Sequence, residues 1–529
     1  MPDFDLIVRG GELLDGTGAP AIRADLGVLG DRVATIGDLA QRTAKREIDA
    51  RGKVVAPGFV DVQSQSNLTI LADGHAHSHV RQGITTELVG EGGSPGQLTT
   101  KILDQDPRFR EWLEALDLEL DWQGLGGWLA RVERQGSSVN IGALASMDLL
   151  RAEAVGLDAR APTDAELARM RAILEASMRD GAFGLAAALV YPPTAFTTED
   201  ELVAVAEIAA KHGGIYASHV RGESARVFGA IEEAISIGRR AKLPVLVYHL
   251  KIAGRPNWGR MPEVIALVER ARDAGQEVSA CQYPYAAAGT GILAPMPDGS
   301  QEGGPLAIAA RLTNADTRAR IRREMETREA MLGRIDFEAI QIASVPPDGD
   351  ASIVGKRIAD LARARGADPF DVYFDIIVRH RTNVFCIFHS MSEDDVRTAM
   401  KRPWLSIATD AEATSPDLHG LVHPRAYGTF PRVLGRYVRD ERVLSLAEAV
   451  RKMTSLPASQ FRIRDRGVLR AGAFADVVVF DADTVLDAAT FEAPHAYPRG
   501  IEHVVVNGVL TIEGGEHTHA RAGRAVRRS

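Results

Sequence analysis

Residues 225–250 read ARVFGAIEEAISIGRRAKLPVLVYHL, and the change of pattern inside this stretch decides the fold class. Ala225–Arg240 carries apolar residues at helical spacing, and LPVLVYHL after it is a short, nearly all-apolar run. The pair recurs at once, a helical run Pro262–Ala274 leading into EVSACQYPY. Strands that are apolar on both faces, each preceded by a helix, belong to a parallel sheet covered on both sides. An α/β barrel or a doubly wound sheet is therefore expected. Upstream, Thr163-Asp-Ala-Glu166 spells a capping box for a helix carrying Leu167, Met170, Ile173, Leu174 and Met178 and ending near Gly181; Thr198-Glu-Asp-Glu201 opens another in the same way.

Both ends of the chain follow a different rule. Phe4–Ala56 reads as short strands (DLIVRG, LGVLG, RVATIG, KVVAPG) punctuated by Gly-containing turns, and FADVVVFD and GIEHVVVNGVL after Arg470 repeat that style. A second break comes at about 286–347, with a Gly/Pro-rich start, a charged helix over Thr317–Ala330 and one strand-like run, FEAIQIASV. It reads as an insertion or lid. The Arg-rich end, HARAGRAVRRS, reads as a solvated tail.

Composition narrows the function classes. The 529 residues carry a formal charge of −9, which offers nothing to a polyanion, so no nucleic-acid partner is expected. Two Cys exclude a disulfide framework and a thiolate zinc knuckle. The start, MPDFDLIVRGG, has no basic segment followed by an apolar one, and no apolar run approaches the length of a membrane span. A cytoplasmic protein with a small-molecule substrate, free to form a homo-oligomer, is the expectation.

In a parallel barrel, side chains at the C-terminal ends of strands converge on one mouth. His219 follows GGIYAS, His249 follows PVLVY, Asp410 follows WLSIAT and Glu91 follows TTELVG. Two imidazoles and two carboxylates at one mouth suit a hydrolytic zinc centre with an open fourth position, one carboxylate serving as proton carrier. The HxHxH spelling at His75, His77 and His79 is read otherwise, because i, i+2 and i+4 positions do not share a helix face. It is expected to be a surface or helix-end cluster. His389, after VFCIF, stands at another strand end, and Cys281 and Cys386 lie in apolar runs as buried thiols.

The stretch APGFVDVQSQSN (Ala56–Asn67) resembles the strand-one signature PGFxDxHxH of the amidohydrolase superfamily. YASHVRGES, VYHLKIAGRPNWGR, SIATDA, HPRAYGTFPRVLGRYVR, EAVRKMTSLPASQF and RDRGVLRAGAFADVVVFD all resemble its D-aminoacylase branch, the N-acyl-D-amino-acid deacylases. The resemblance covers essentially the whole chain, and the HPRAYGTFPRVLG block is far more specific than any HxH spelling. It implies a metal-dependent (β/α)8 TIM-like barrel over 58–465, with a small β-sandwich domain built from 1–57 and 466–529. It also implies hydrolysis of an N-acyl-D-amino acid to a carboxylate and a free D-amino acid, with Asp410 as the catalytic acid/base. The alternatives are another amide substrate (a cyclic amide, a dipeptide or a different N-acyl compound) and a non-catalytic homologue.

Two departures accompany the resemblance. Gln63 and Gln65 occupy the two His positions after strand one, and an amide is a poor zinc ligand. Gly90-Glu-Gly-Gly93 stands where this branch commonly has Gly-Asn-Cys-Gly, its Cys being a metal ligand. The expectation is one divalent ion, zinc, held by Glu91, His219 and His249. For the substrate carboxylate, the resemblance points to Lys251 and Tyr191, with Arg221 as a third candidate.

Overall fold

The computed structural model describes residues 2–327, 331–416 and 421–528. Eight parallel strands form the centre: β1 (Phe59–Asp61), β2 (Ile84–Val89), β3 (Asn140–Ala143, continued by Ala145–Ser146), β4 (Gly184–Ala188), β5 (Ile215–His219), β6 (Val245–Val247), β7 (Val278–Gln282) and β8 (Leu405–Ile407). Each pairs in parallel with the next. The ring closes just beyond β8 and β1, where Asp410 N–H donates to the Gln63 carbonyl and Gln65 N–H to that of Ala411, both at 2.8 Å. This is a (β/α)8 barrel.

The apolar strands divide their residues between two cores, as the period of two requires. Val60, Leu88, Ala186, Ala217, Leu246 and Cys281 fill the interior together with Phe461 and Ile463. Leu185, Ala187, Tyr216, Val245, Val247 and Ala280 face the helices. The Asp164–Arg179 helix opens with the expected reciprocal capping box at Thr163 and Glu166. The next opens with half of one. Thr198 accepts from Glu201 N–H, but the Glu201 carboxylate turns to the buried Arg151, 2.5 Å away, because a buried guanidinium requires a partner more than an exposed cap does.

Strands from the two chain ends share a nine-stranded sheet, joined where Val54–Pro57 runs antiparallel to Val477–Phe480. Alternation works here too: Val55, Val477 and Val479 enter the sheet's own core, while Val54, Val478 and Phe480 pack toward the barrel. The Arg-rich end is not the solvated tail expected. Gly523, Val526 and Arg528 donate backbone N–H groups to Ser137, Ile141 and Gly181, and Arg524 and Arg527 pair with Asp31 and Glu133. The small side chains of this segment let its backbone lie against the barrel, with Val526 packed on the interior cluster.

The chain leaves the barrel after β7 and returns at β8, so the segment set apart at 286–347 is the first part of a longer excursion over 283–404. There Ala288–Gly291, Phe385–Phe388 and Ile340–Ser344 form an antiparallel sheet. VFCIF therefore belongs to this sheet and not to the barrel. The charged helix spans Ala315–Thr327; the last residues of its expected range, 328–330, lie outside the described residues. No helix among the described residues is long and apolar enough to cross a membrane.

Candidate metal centre

Four strand ends deliver the candidate residues. His219 is the last residue of β5, His249 stands two past β6, Glu91 two past β2 and Asp410 three past β8. Glu91 follows Gly90, whose φ is +129° and where a Cβ would come within 2.6 Å of the Leu144 carbonyl oxygen, so only glycine allows the turn. His249 and Asp410 have φ of +32° and +50°, a region that side-chain-bearing residues rarely adopt. Gln63 anchors both: its side-chain oxygen accepts from His249 N–H at 3.1 Å and its backbone carbonyl from Asp410 N–H.

Glu91 Oε1 lies 3.0 Å from His219 Nδ1 and 2.9 Å from His249 Nε2. The two ring nitrogens are 3.0 Å apart. All three residues are buried. Two imidazole nitrogens and a carboxylate oxygen at such mutual spacing approach three corners of a tetrahedron whose edges, for bonds of about 2.0–2.1 Å, are about 3.3 Å. The donor set and its spacing fit a zinc-class ion.

The outer nitrogens of both rings face one carboxylate oxygen: Glu223 Oε1 is 3.2 Å from His249 Nδ1 and 3.4 Å from His219 Nε2. Glu223 thus stands behind both imidazoles, while among the described residues His219 Nε2 makes no hydrogen bond and His249 Nδ1 also meets the Lys251 ammonium at 2.7 Å. Glu223 Oε1 also accepts from Lys251 Nζ at 2.5 Å. Burial pushes the Glu223 carboxyl up, yet Lys251, His219 and His249 outweigh it and hold the group well below the usual range. Glu91 behaves alike, burial being overcome by His249 and His219. Burial lowers His219. Burial and Lys251 would lower His249 as well, but Glu91, Asp410 and Glu223 together raise it to about 9.

Asp410 sits beside this group. Its Oδ1 accepts from Gln65 Nε2 at 3.1 Å, and its Oδ2 is 2.8 Å from the Arg425 guanidinium. Burial raises its pKa, with Arg425 opposing.

The three residues expected at the substrate carboxylate are placed differently from one another. Lys251 Nζ is buried between Glu223 and His249 Nδ1, 2.7 Å from the latter. The Tyr191 ring stands edge-on to His219 at 5.4 Å, and its hydroxyl meets Thr290 Oγ1 at 2.5 Å, on the excursion's sheet. Arg221 does not face the cluster. Its guanidinium forks onto Glu233 and donates to the carbonyls of Ala195 and Thr197, so every nitrogen is already engaged.

Arg425 and Glu223 escaped the sequence reading, although HPRAYGTF and HVRGES contain them. Glu223 lies four residues past His219, a spacing that was legible; Arg425 reaches Asp410 only through the fold. Of the HxHxH run, His79 is fully buried against Glu87 at 2.9 Å, whereas His75 and His77 are partly exposed. The cluster is thus not wholly at the surface. His389 contacts Gln341 at 3.1 Å within the excursion.

The amidohydrolase family matches residues 46–512. The chain is 34% identical over 536 residues to D-aminoacylase of Alcaligenes xylosoxydans xylosoxydans, covering 99% of this chain and 98% of that one. Among solved structures it resembles N-acyl-D-glutamate deacylase from Bordetella bronchiseptica, complexed with zinc and a phosphonate inhibitor that mimics the reaction's tetrahedral intermediate (33% identity, TM-score 0.80, 99% of each chain). It also resembles a D-aminoacylase with a binuclear metal center, described as one-metal activation and second-metal attenuation (31% identity, TM-score 0.81, 99% of this chain and 100% of that one).

Proposed function

The chain belongs to the amidohydrolase family, and we propose that it is a metal-dependent hydrolase that cleaves N-acyl-D-amino acids to a carboxylate and a free D-amino acid. The observation that carries this reading is the convergence of Glu91, His219 and His249 beside a buried Asp410. Those three residues would hold one zinc ion, which when bound supplies a positive charge that polarises the amide carbonyl and acidifies a water.

The remaining chemistry is the chain's own. Asp410, with a pKa raised by burial, accepts the proton of the attacking water at a carboxylate oxygen. Water oxygen bonds to the amide carbon, giving a tetrahedral intermediate. Asp410 then returns the proton to the amide nitrogen as the C–N bond breaks, leaving a carboxylic acid and an amine. Gln65 and Arg425, one on each oxygen, hold Asp410 in place. The substrate carboxylate is assigned to the cationic side of the site. Lys251 and Arg425 lie 5.6 and 4.6 Å from the centre of the Tyr283 ring, with the Tyr191 hydroxyl nearby as a neutral donor.

The test is a panel of matched N-acyl-D- and N-acyl-L-amino acids, cyclic imides and dipeptides, assayed with the zinc-loaded protein and with Asp410→Asn. Amine release from the D-substrates is expected, and a loss of about 10³-fold in Asp410→Asn with metal content unchanged. Turnover of cyclic imides or dipeptides alone would overturn the substrate assignment, and an active, metal-replete Asp410→Asn protein the role of Asp410.

A further inference from the structure

Glu91 and Asp410 together present four carboxylate oxygens to the barrel mouth, and each has a partner. Glu91 Oε1 faces the two imidazoles. Glu91 Oε2 accepts from Gln63 Nε2, and from Gln65 Nε2 at 2.9 Å. Asp410 Oδ1 accepts from the same Gln65 nitrogen at 3.1 Å, and Oδ2 lies against Arg425. One amide group, with its two hydrogens, therefore joins the two carboxylates.

The amide orientations follow from their surroundings. Gln63 Oε1 accepts from the His249 backbone N–H and from the Cys281 thiol, each at 3.1 Å. A backbone N–H can only donate, so the carbonyl end must face it and the NH₂ end must face Glu91. Gln65 Nε2 meets two carboxylate oxygens, which can only accept, so its NH₂ end is fixed as well. Both backbones are pinned where the barrel closes, Gln63 through its carbonyl to Asp410 N–H and Gln65 through its N–H to Ala411.

We propose that Gln63 and Gln65 stand in for a second cation. Their amide N–H groups draw Glu91 and Asp410 together as a bridging ion would, and aim hydrogens into the space that ion would need. The inference rests on the one-ion reading above. It makes Gln65 a positioning residue for Asp410, and it makes the enzyme indifferent to excess metal. A second ion would have to displace three amide hydrogen bonds while gaining no imidazole. The Gln63 carbonyl oxygen, the one ligand atom that side chain offers, is turned away toward His249 N–H and Cys281.

The experiment is a titration of metal-free protein with Zn²⁺ and, in parallel, Co²⁺. Bound metal is measured after gel filtration, the cobalt spectrum is followed, and turnover is recorded at each ratio. The wild-type protein is expected to stop at one ion, with a single cobalt spectrum and activity unchanged through a tenfold excess. Gln63→His/Gln65→His is expected to take a second ion and to lose at least tenfold in turnover as it does. Gln65→Leu should lower kcat at least tenfold while leaving KM and the affinity for the first ion within twofold. A second ion in the wild-type protein, a folded double variant that stays at one ion, or Gln65→Leu with an unchanged kcat each overturns the inference. If the double variant does not fold, the wild-type titration and Gln65→Leu decide. No ion bound to the wild-type protein would instead overturn the one-ion reading itself.

Discussion

Among the described residues, two groups bring histidine and carboxylate ligand atoms within reach of one ion: Glu91, His219 and His249 in the barrel mouth, and Asp73, His75 and His77 near the sheet built by the chain ends. They differ in what stands behind the ligands. In the mouth, Glu223 lies behind both rings and their inner nitrogens converge on Glu91. At the periphery, Arg81 donates to His77 Nδ1 at 2.8 Å, and Arg521 stands 3.2 and 3.4 Å from the two nitrogens of His75. The His75 and His77 rings pack against His517 at 5.2 and 4.9 Å. Burial, reinforced by His77, lowers His517 to about 4 and keeps its ring neutral. Ligand spelling is common to both groups. The surrounding charge separates them: the cation beside the mouth's rings, Lys251, is paired with the buried Glu223, whereas two guanidinium groups face the peripheral rings, Arg81 paired with the exposed Glu516, and repel a cation. The peripheral group acts as a hydrogen-bonded seam between barrel and sheet.

Removing a carboxylate from each group tests this contrast most strongly. Glu91→Ala is expected to cost about 10³-fold in turnover through loss of metal, and Asp73→Ala to leave turnover within about twofold; equal effects in a paired assay would erase the distinction. Within the HxHxH run itself, His79→Ala strips the charged partner from the fully buried Glu87, which keeps the Ser64 hydroxyl, and should destabilise the fold by about 3–5 kcal/mol. His77→Ala should cost about 1 kcal/mol or less, both values being read from urea unfolding of the metal-free proteins.

Smaller again is the effect expected of Glu223→Gln, which weakens the orientation of both rings. Metal affinity should fall about 10- to 100-fold, and an unchanged affinity by competition with a chelator would remove Glu223 from the centre.

The smallest effect is a pH dependence of stability carried by His79 and Glu87. Burial acts to lower His79, but Glu87 overcomes it and the folded value lies above the ordinary 6.5. Its contribution is therefore complete below about 6.5 and fades as pH rises through the folded value. Burial acts to raise Glu87, but His79 holds the folded value below the ordinary 4.5. That contribution is complete above about 4.5 and fades as pH falls through the lowered value. The pair contributes most between about 4.5 and 6.5. Replacing both residues, as His79→Gln/Glu87→Gln, should flatten the wild-type rise in unfolding free energy from pH 8 to pH 6, and an unaltered slope would assign the dependence to other groups.

Much of the barrel was legible because its cause is local. LPVLVYHL and EVSACQYPY are apolar on both faces, and only a strand covered on both sides tolerates that. Glu91, His219, His249 and Asp410 were legible as strand-end residues for the same reason. Arg221 misled, since its position two residues past His219 suggested the mouth, while its fork found Glu233 on the following helix. VFCIF misled as well: a strand shows its pattern but not its sheet. The Arg-rich end was misread because a charged composition does not reveal that its backbone N–H groups are bonded to the barrel.

The sequence by itself determined the strand ends that present Glu91, His219, His249 and Asp410, the caps that start the helices, and the presence of Gln63 and Gln65 just after β1. Those features depend on neighbours a few residues away. The tertiary structure decided which groups meet: Glu223 behind two imidazoles, Arg425 on Asp410, and Gln65 shared between carboxylates 319 positions apart in the chain. Barrel closure brings β1 beside β8, and no local pattern encodes the orientation of an amide set by partners drawn from both.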